Sequence, residues 1–319
     1  MIWLYSFIAI LALILIVSLL LTRLWDRSLK RSYPSSGEVT RVSGGSVHWT
    51  VSGEGPTVIL VHGLAGNMHN FSAMEKRLAQ HYKVYCLDRP GSGHSSRRLS
   101  TDASFDNQAK MLIEWMNKQH IDSALFVGHS MGGAISLNIA IQAPEKVKGL
   151  ALIAPLTAPL NIKPSLFARW YFRSPKLRYV VARGFSPLIN RKIGRKQVNI
   201  IFKPEPPTPD FGYRYGGALS MLSTAFLAAS GDLASAQRSL KQQMKYYDKI
   251  TCPVGVLYGD GDRVLSCSEH TSAIKQALPN ADIRILENRG HMLPITTVDE
   301  CIELIDDIQA KTINKPDKD

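Results

Sequence analysis

Gly128-His129-Ser130-Met131-Gly132 leaves few architectures open to this 319-residue chain. An apolar strand candidate, Ala124 to Val127, leads into it, and a stretch with helical spacing, Ala134 to Ala143, follows. A strand that turns this sharply into a helix holds Ser130 in strained backbone angles. Only glycines at 128 and 132 leave room for the two elements to close around it. Such a turn raises a serine hydroxyl at the edge of a sheet, where it can act as a nucleophile.

A serine hydroxyl attacks poorly until a base takes its proton, so a histidine oriented by a carboxylate is expected downstream. His291 fits: it stands in Arg289-Gly290-His291-Met292, just past the strand candidate Ile283 to Leu286. The other eight histidines lack that combination of a post-strand position after Ser130 and a glycine turn. The carboxylate should follow a strand between serine and histidine, and Gly259-Asp260-Gly261-Asp262 offers two after Val254 to Tyr258. Asp262 is the choice, because a few residues of turn clear the sheet edge, whereas Asp260 lies close to the strand end and suits bonding to turn amides. Two backbone amides are positioned to stabilise an oxyanion: that of Met131, directly after the serine, and that of Leu64, after the turn His62-Gly63 that ends the strand candidate Thr57 to Val61.

The remaining pattern alternates strands and helices. Val39 to Val51 reads as two strands meeting at Gly44-Gly45. Lys83 to Leu87 and Gly149 to Ile153 are further strands, and Asn107 to Lys118 is a helix. Alternation of this kind implies a mainly parallel sheet with right-handed crossovers and helices on both faces. About ninety residues from Leu156 to Ile250 carry helical stretches and no convincing strand, so they read as an insertion, divided in two by the prolines between 204 and 209.

From Ile2 to Leu21 no residue is charged, and a helix over this run would be about 30 Å long, the thickness of a hydrocarbon core. A transmembrane anchor is expected. A cleaved signal peptide would need a basic start and a small-residue cleavage site, neither of which is evident. Arg23, Arg27, Lys30 and Arg31 on the C-terminal flank place the main domain on the cytoplasmic side by the positive-inside rule. The expected organisation is an anchor at 1–22, a linker at 23–38, a core formed by 39–156 and 251–312, and an inserted helical segment at 157–250.

Lys and Arg exceed Asp and Glu by 38 to 26, and this net +12 favours an anionic surface. Between Glu145 and Glu205 there is no acidic residue but thirteen basic ones, with Leu166, Phe167, Trp170, Tyr171 and Phe172 among them. This mixture predicts a second contact with an acidic lipid surface, with rings among the headgroups. A tethered chain with its basic patch in the insertion has no evident use for nucleic acid. The four cysteines show neither disulfide density nor metal-ligand spacing, and no dinucleotide fingerprint appears, so no metal or cofactor is expected.

His62-Gly63-Leu64, Asp88-Arg89-Pro90-Gly91-Ser92-Gly93-His94-Ser95, Gly128 to Gly133, Gly259 to Asp262 and Gly290-His291 occur in an order that resembles the α/β-hydrolase family, from about Val39 to the C-terminal helix. The resemblance implies the α/β-hydrolase fold, a catalytic Ser130, Asp262 and His291, and a cap over the site. Dehalogenases and epoxide hydrolases of this fold carry Asp at the elbow, so Ser130 argues against both. With its anchor and helical cap the chain looks like membrane-bound monoacylglycerol lipases and carboxylesterases, which implies cleavage of ester bonds in lipid-like, membrane-partitioned small molecules. Lactonases, carbon-carbon bond hydrolases and esterases of non-lipid substrates share the same triad.

Overall fold

Four consecutive residues, Val58, Ile59, Leu60 and Val61, are wholly inaccessible to solvent. Neighbouring strand residues face opposite sides, so the sheet holding them is covered on both faces, as a parallel sheet requires. The computed structural model describes residues 1–159 and 170–313. Its strands are β1 (Glu38–Val42), β2 (Gly45–Ser52), β3 (Thr57–Val61), β4 (Lys83–Asp88), β5 (Ser96–Arg97), β6 (Ala124–His129), β7 (Val147–Ile153), β8 (Val254–Gly259) and β9 (Asp282–Leu286). They form one sheet in the order β1-β2-β4-β3-β6-β7-β8-β9, with β5 beside β2. The first two strands and β5 run antiparallel to their neighbours, and every other pairing is parallel.

Register gathers the chemistry at one edge. Val61 lies beside Leu87 on one side and Gly128 on the other, His129 pairs with Ile153, and Gly259 pairs with Leu286. The turns after β3, β4, β6, β8 and β9 therefore leave the sheet together at its C-terminal edge, where ligands of open α/β sheets bind.

The helices are α1 (Ile2–Ser32), α2 (Ser72–Leu78), α3 (Phe105–Lys118), α4 (Met131–Gln142), α5 (Pro175–Phe202), α6 (Ser223–Gln243), α7 (Cys267–Ala277), α8 (Leu293–Thr296) and α9 (Val298–Ile313). The first of these corrects the expected linker at 23–38. Helix α1 continues ten residues past Thr22 to Ser32, because neither Pro nor Gly interrupts it before Pro34, and only the residues after Ser32 connect it to β1. It is long and apolar enough to cross a bilayer, and none of its most apolar window is buried against protein.

Among the described residues no strand lies between β7 and β8, and that segment, the cap, is built on α5 and α6. Ser174 caps α5, its Oγ accepting from the amide of Leu177 at 3.3 Å. Pro187 sits inside α5, which nonetheless runs to Phe202. Helix α1 docks here. The hydroxyls of Ser18 and Thr22 donate to the carbonyl of Gly184, and the Asp26 carboxylate accepts from the amide of Ser223 (2.9 Å) and its hydroxyl (2.5 Å) at the start of α6. Leu29 and Tyr33 pack on Leu219, Leu222 and Ala225.

The expected presentation of cap rings to headgroups is overturned at two positions. Trp170 is buried and Phe172 is partly buried, both packed against Phe226 of α6, because an apolar cap core is a cheaper place for a ring than water. Tyr171 is exposed, while Leu166 and Phe167 lie outside the described residues.

Candidate active site

Ser130 sits alone between β6 and α4 at φ 53°, ψ −120°, a conformation strained for any residue with a Cβ. Hydrogen bonds hold it there: its amide donates to Ile153 O (3.0 Å), and its carbonyl accepts from Gly133 N (3.0 Å) and Leu156 N (2.9 Å). The flanking glycines are dictated by contact. A Cβ on Gly128 would lie 2.6 Å from Gly133 Cα, and one on Gly132 would strike the carbonyl of Val61. Gly63 belongs to the same construction, since a Cβ there would come within 2.9 Å of Ser130 Cβ.

After β9 the chain brings His291 back to the same edge, and its Nδ1 donates to Asp262 Oδ2 at 2.7 Å. The other Asp262 oxygen accepts from the amides of Val264 (2.7 Å) and Leu265 (3.0 Å). Burial pushes this carboxyl up, but the His291 charge and hydrogen bond, together with the two amides, outweigh it and hold Asp262 below the usual carboxylate range. Asp260 faces elsewhere and accepts from the amide of Asn288 at 2.7 Å. Ser130, His291, Leu64 and Met131 all line one cavity, whose remaining wall is mostly apolar and includes Leu156, Trp170, Val198, Ile201, Phe211 and Met221.

Two arrangements around this site have no counterpart in the sequence reading. His129 donates from Nε2 to the carbonyl of His291 (2.9 Å), and the two rings lie 4.9 Å apart. The second concerns the turn after β3. The Gly63 carbonyl accepts from His62 Nδ1 (2.8 Å), Arg89 Nη2 (3.0 Å) and the amide of Gly66 (3.2 Å). In a trans peptide the N–H points opposite the C=O, so whatever holds Gly63 O also aims the Leu64 N–H. Arg89 is wholly buried, and it is held in turn by Gln108 (2.6 Å) and by Asp232 of the cap helix α6 (3.1 Å). The Asp88-Arg89-Pro90-Gly91 segment was visible in the sequence, but its partner stands 143 residues away.

A strained serine on a cavity that also holds a histidine fixed by a buried carboxylate has parts that acyl transfer uses. Over 116 residues the chain is 36% identical to the dihydrolipoyllysine-residue acetyltransferase component of an acetoin cleaving system from Cupriavidus necator, a match covering 36% of this chain and 31% of that protein. It is 28% identical to Lipase 3 of a Moraxella species, over 76% of this chain and 74% of the lipase. The crystal structure of a membrane phospholipase A, described as a bacterial virulence factor, superposes with a TM-score of 0.69 at 24% identity and 98% coverage of both chains. Residues 56–297 match the α/β hydrolase fold family, and with the fold and the serine turn described above this chain belongs to that family.

Proposed function

We propose that this chain is a membrane-anchored serine hydrolase that cleaves carboxylic esters of lipid-like substrates, of the monoacylglycerol lipase and carboxylesterase kind. His291 takes the Ser130 proton as Oγ attacks the ester carbonyl, and Asp262 holds the imidazole in the required tautomer and offsets its positive charge. The Leu64 and Met131 amides stabilise the oxyanion. Collapse expels the alcohol, protonated by His291, and leaves an acyl-enzyme on Ser130. Water activated by the same histidine then releases the acid.

The observation that carries this reading is the 2.7 Å bond between His291 and a buried Asp262 on the cavity that Ser130 lines. The apolar wall favours an acyl chain, and a match to a lipase over three quarters of the chain points the same way. The uncharged half of α1 would span the bilayer, with the basic flank from Arg23 to Arg31 on the cytoplasmic side. The cap at 157–250 would close over the acyl chain.

The test is a fluorophosphonate probe on membranes containing the full chain, followed by a substrate series. Labelling at Ser130, its loss in Ser130→Ala, and faster turnover of monoacylglycerols than of short soluble esters or lactones are expected. Labelling at another serine rejects the acyl-enzyme assignment. Preference for short esters or lactones rejects the lipid assignment alone.

A further inference from the structure

A second cavity, of about 260 Å³, lies where α1, the cap and the loop after β4 meet, and it shares no lining residue with the first. Lys30, His94, Arg97, Arg98, Arg178 and Arg183 line it. Among the described residues that line it, none is acidic. We propose that this cavity binds a phosphate-bearing anion.

The argument begins with a charge imbalance. The Asp232 carboxylate is shared by Arg89 (3.1 Å) and Arg97 (2.8 Å), both buried. A third guanidinium adjoins the same place: a Cβ on Gly231 would lie 3.1 Å from Arg97 Nη2 and 3.2 Å from Arg178 Nη1. Two guanidinium groups thus share one carboxylate, and a third, partly exposed, lies beside the neighbouring glycine, so this corner holds more positive charge than its one carboxylate offsets. Arg178 gives two nitrogens, Nη2 (2.9 Å) and Nε (3.3 Å), to the carbonyl of Phe172, a neutral acceptor. Arg183 donates from Nη1 to the Ser223 hydroxyl (3.3 Å) and lies 3.8 Å from Asp26, but its Nε is buried with no hydrogen-bond partner among the described residues. His94 Nε2, also in the wall, is likewise unmatched.

A phosphate group meets these needs together. It brings negative charge and several strong acceptor oxygens, which pair well with forked guanidinium donors. The serine and threonine hydroxyls of the wall, Ser96, Thr101 and Thr224, add neutral donors. Lys30 lies in the last turn of α1, beyond the apolar span, so if α1 crosses the bilayer as proposed above the cavity stands beside the headgroup layer. The phosphate could then be that of an acidic phospholipid. Free phosphate or a soluble phosphate ester offers the same chemistry.

The experiment uses the full chain. Lipid retained by the protein is counted by native mass spectrometry after release from nanodiscs of phosphatidylcholine with or without phosphatidylglycerol. Binding of inorganic phosphate is measured by calorimetry on the protein in detergent. Retention of phosphatidylglycerol without phosphate binding identifies a lipid headgroup, and phosphate binding identifies a soluble anion. In either case Arg178→Gln, or the exposed pair Lys30→Gln with Arg98→Gln should the first not fold, weakens binding about tenfold. Arg195→Gln with Lys196→Gln, exposed basic positions of α5 outside the cavity, leaves it unchanged. Equal weakening by the control pair, or neither ligand binding, overturns the proposal. Extraction of the protein from membranes by alkaline carbonate would count against the anchor alone, since the phosphate titration does not depend on it.

Discussion

His129 donates from Nε2 to the backbone carbonyl of His291, 2.9 Å away, so the residue just before the serine supports the loop that carries the histidine. Burial, and then the charge of His291, lowers the His129 pKa to about 3, which keeps this imidazole neutral and bonded through the physiological range. His129→Phe retains a ring and deletes the donor. Expected is a fall in kcat of about tenfold with KM nearly unchanged, the pattern of an interaction that matters after substrate has bound. An unaltered kcat in a folded variant would assign the bond to stability alone.

The two aspartates near β8 differ in what they touch, and their asparagine variants should differ accordingly. Asp262→Asn cannot accept from His291 Nδ1–H while also holding both loop amides as a charge, and a kcat loss of about 10⁴ is expected. Asp260→Asn removes a charge that meets only the Asn288 amide among its described partners, so activity should stay within about tenfold of the parent. Steady-state kinetics on one ester substrate decides; the reverse order would overturn the assignment.

On the proposed mechanism, in which the Leu64 amide serves the oxyanion, Arg89 would act through the Gly63 carbonyl rather than by contact, as a positioning residue. Arg89→Met should lower kcat by up to about a hundredfold, less than or equal to the loss of one oxyanion donor. The discriminating readout is a boronic acid inhibitor: its affinity should fall in step with kcat/KM, while that of a product carboxylate changes little. Arg89→Lys, which keeps the charge but not the fork, should recover little. Unchanged boronate affinity would leave Arg89 a purely structural residue.

Stability should fall steeply in mild acid. Burial lowers His62 and His129 to about 3 and His270 to about 4, with Arg89 acting in the same direction on His62. Each folded pKa is below the unfolded value of about 6.5, so the unfolded chain takes up the proton first and stability declines as pH drops from there toward 4. His48, raised by Asp88 against the opposing effect of burial, is protonated in both states below about 6.5 and adds nothing in this window. Three protons correspond to a slope of up to about 4 kcal/mol per pH unit. Denaturation midpoints from pH 7 to pH 4 test this, and a flat profile would refute it.

Much of the sheet was legible because its central strands are buried on both faces and so read as unbroken apolar runs, Thr57–Val61 among them. Ser96–Arg97 escaped notice, being two polar residues whose strand character exists only through pairing with Gly45 and Ser46. Helix α7 buries little beyond His270, Thr271 and Ile274, too weak a stripe to stand out. At the site, Ser130, Asp262 and His291 were readable from local turns. What escaped were the bonds that tie those turns together, from His129 to His291 and from Asp232 to Arg89, because no local pattern encodes a partner more than a hundred residues away. Trp170 was misassigned for a related reason: a ring among basic residues looks the same in sequence whether it faces a lipid surface or Phe226.

The bond from Asp26 to Ser223 has a practical consequence for anyone who would make this protein easier to handle. Removing the first 32 residues would leave the first turn of α6 without its acidic cap, free the Gly184 carbonyl from two hydroxyls, and take Leu29 off Leu219, Leu222 and Ala225, leaving only Tyr33 to cover them. The trimmed chain would lose part of what α5 and α6 rest on. A loss of activity in it would then speak to loosened packing around the pocket as much as to the loss of the proposed membrane attachment.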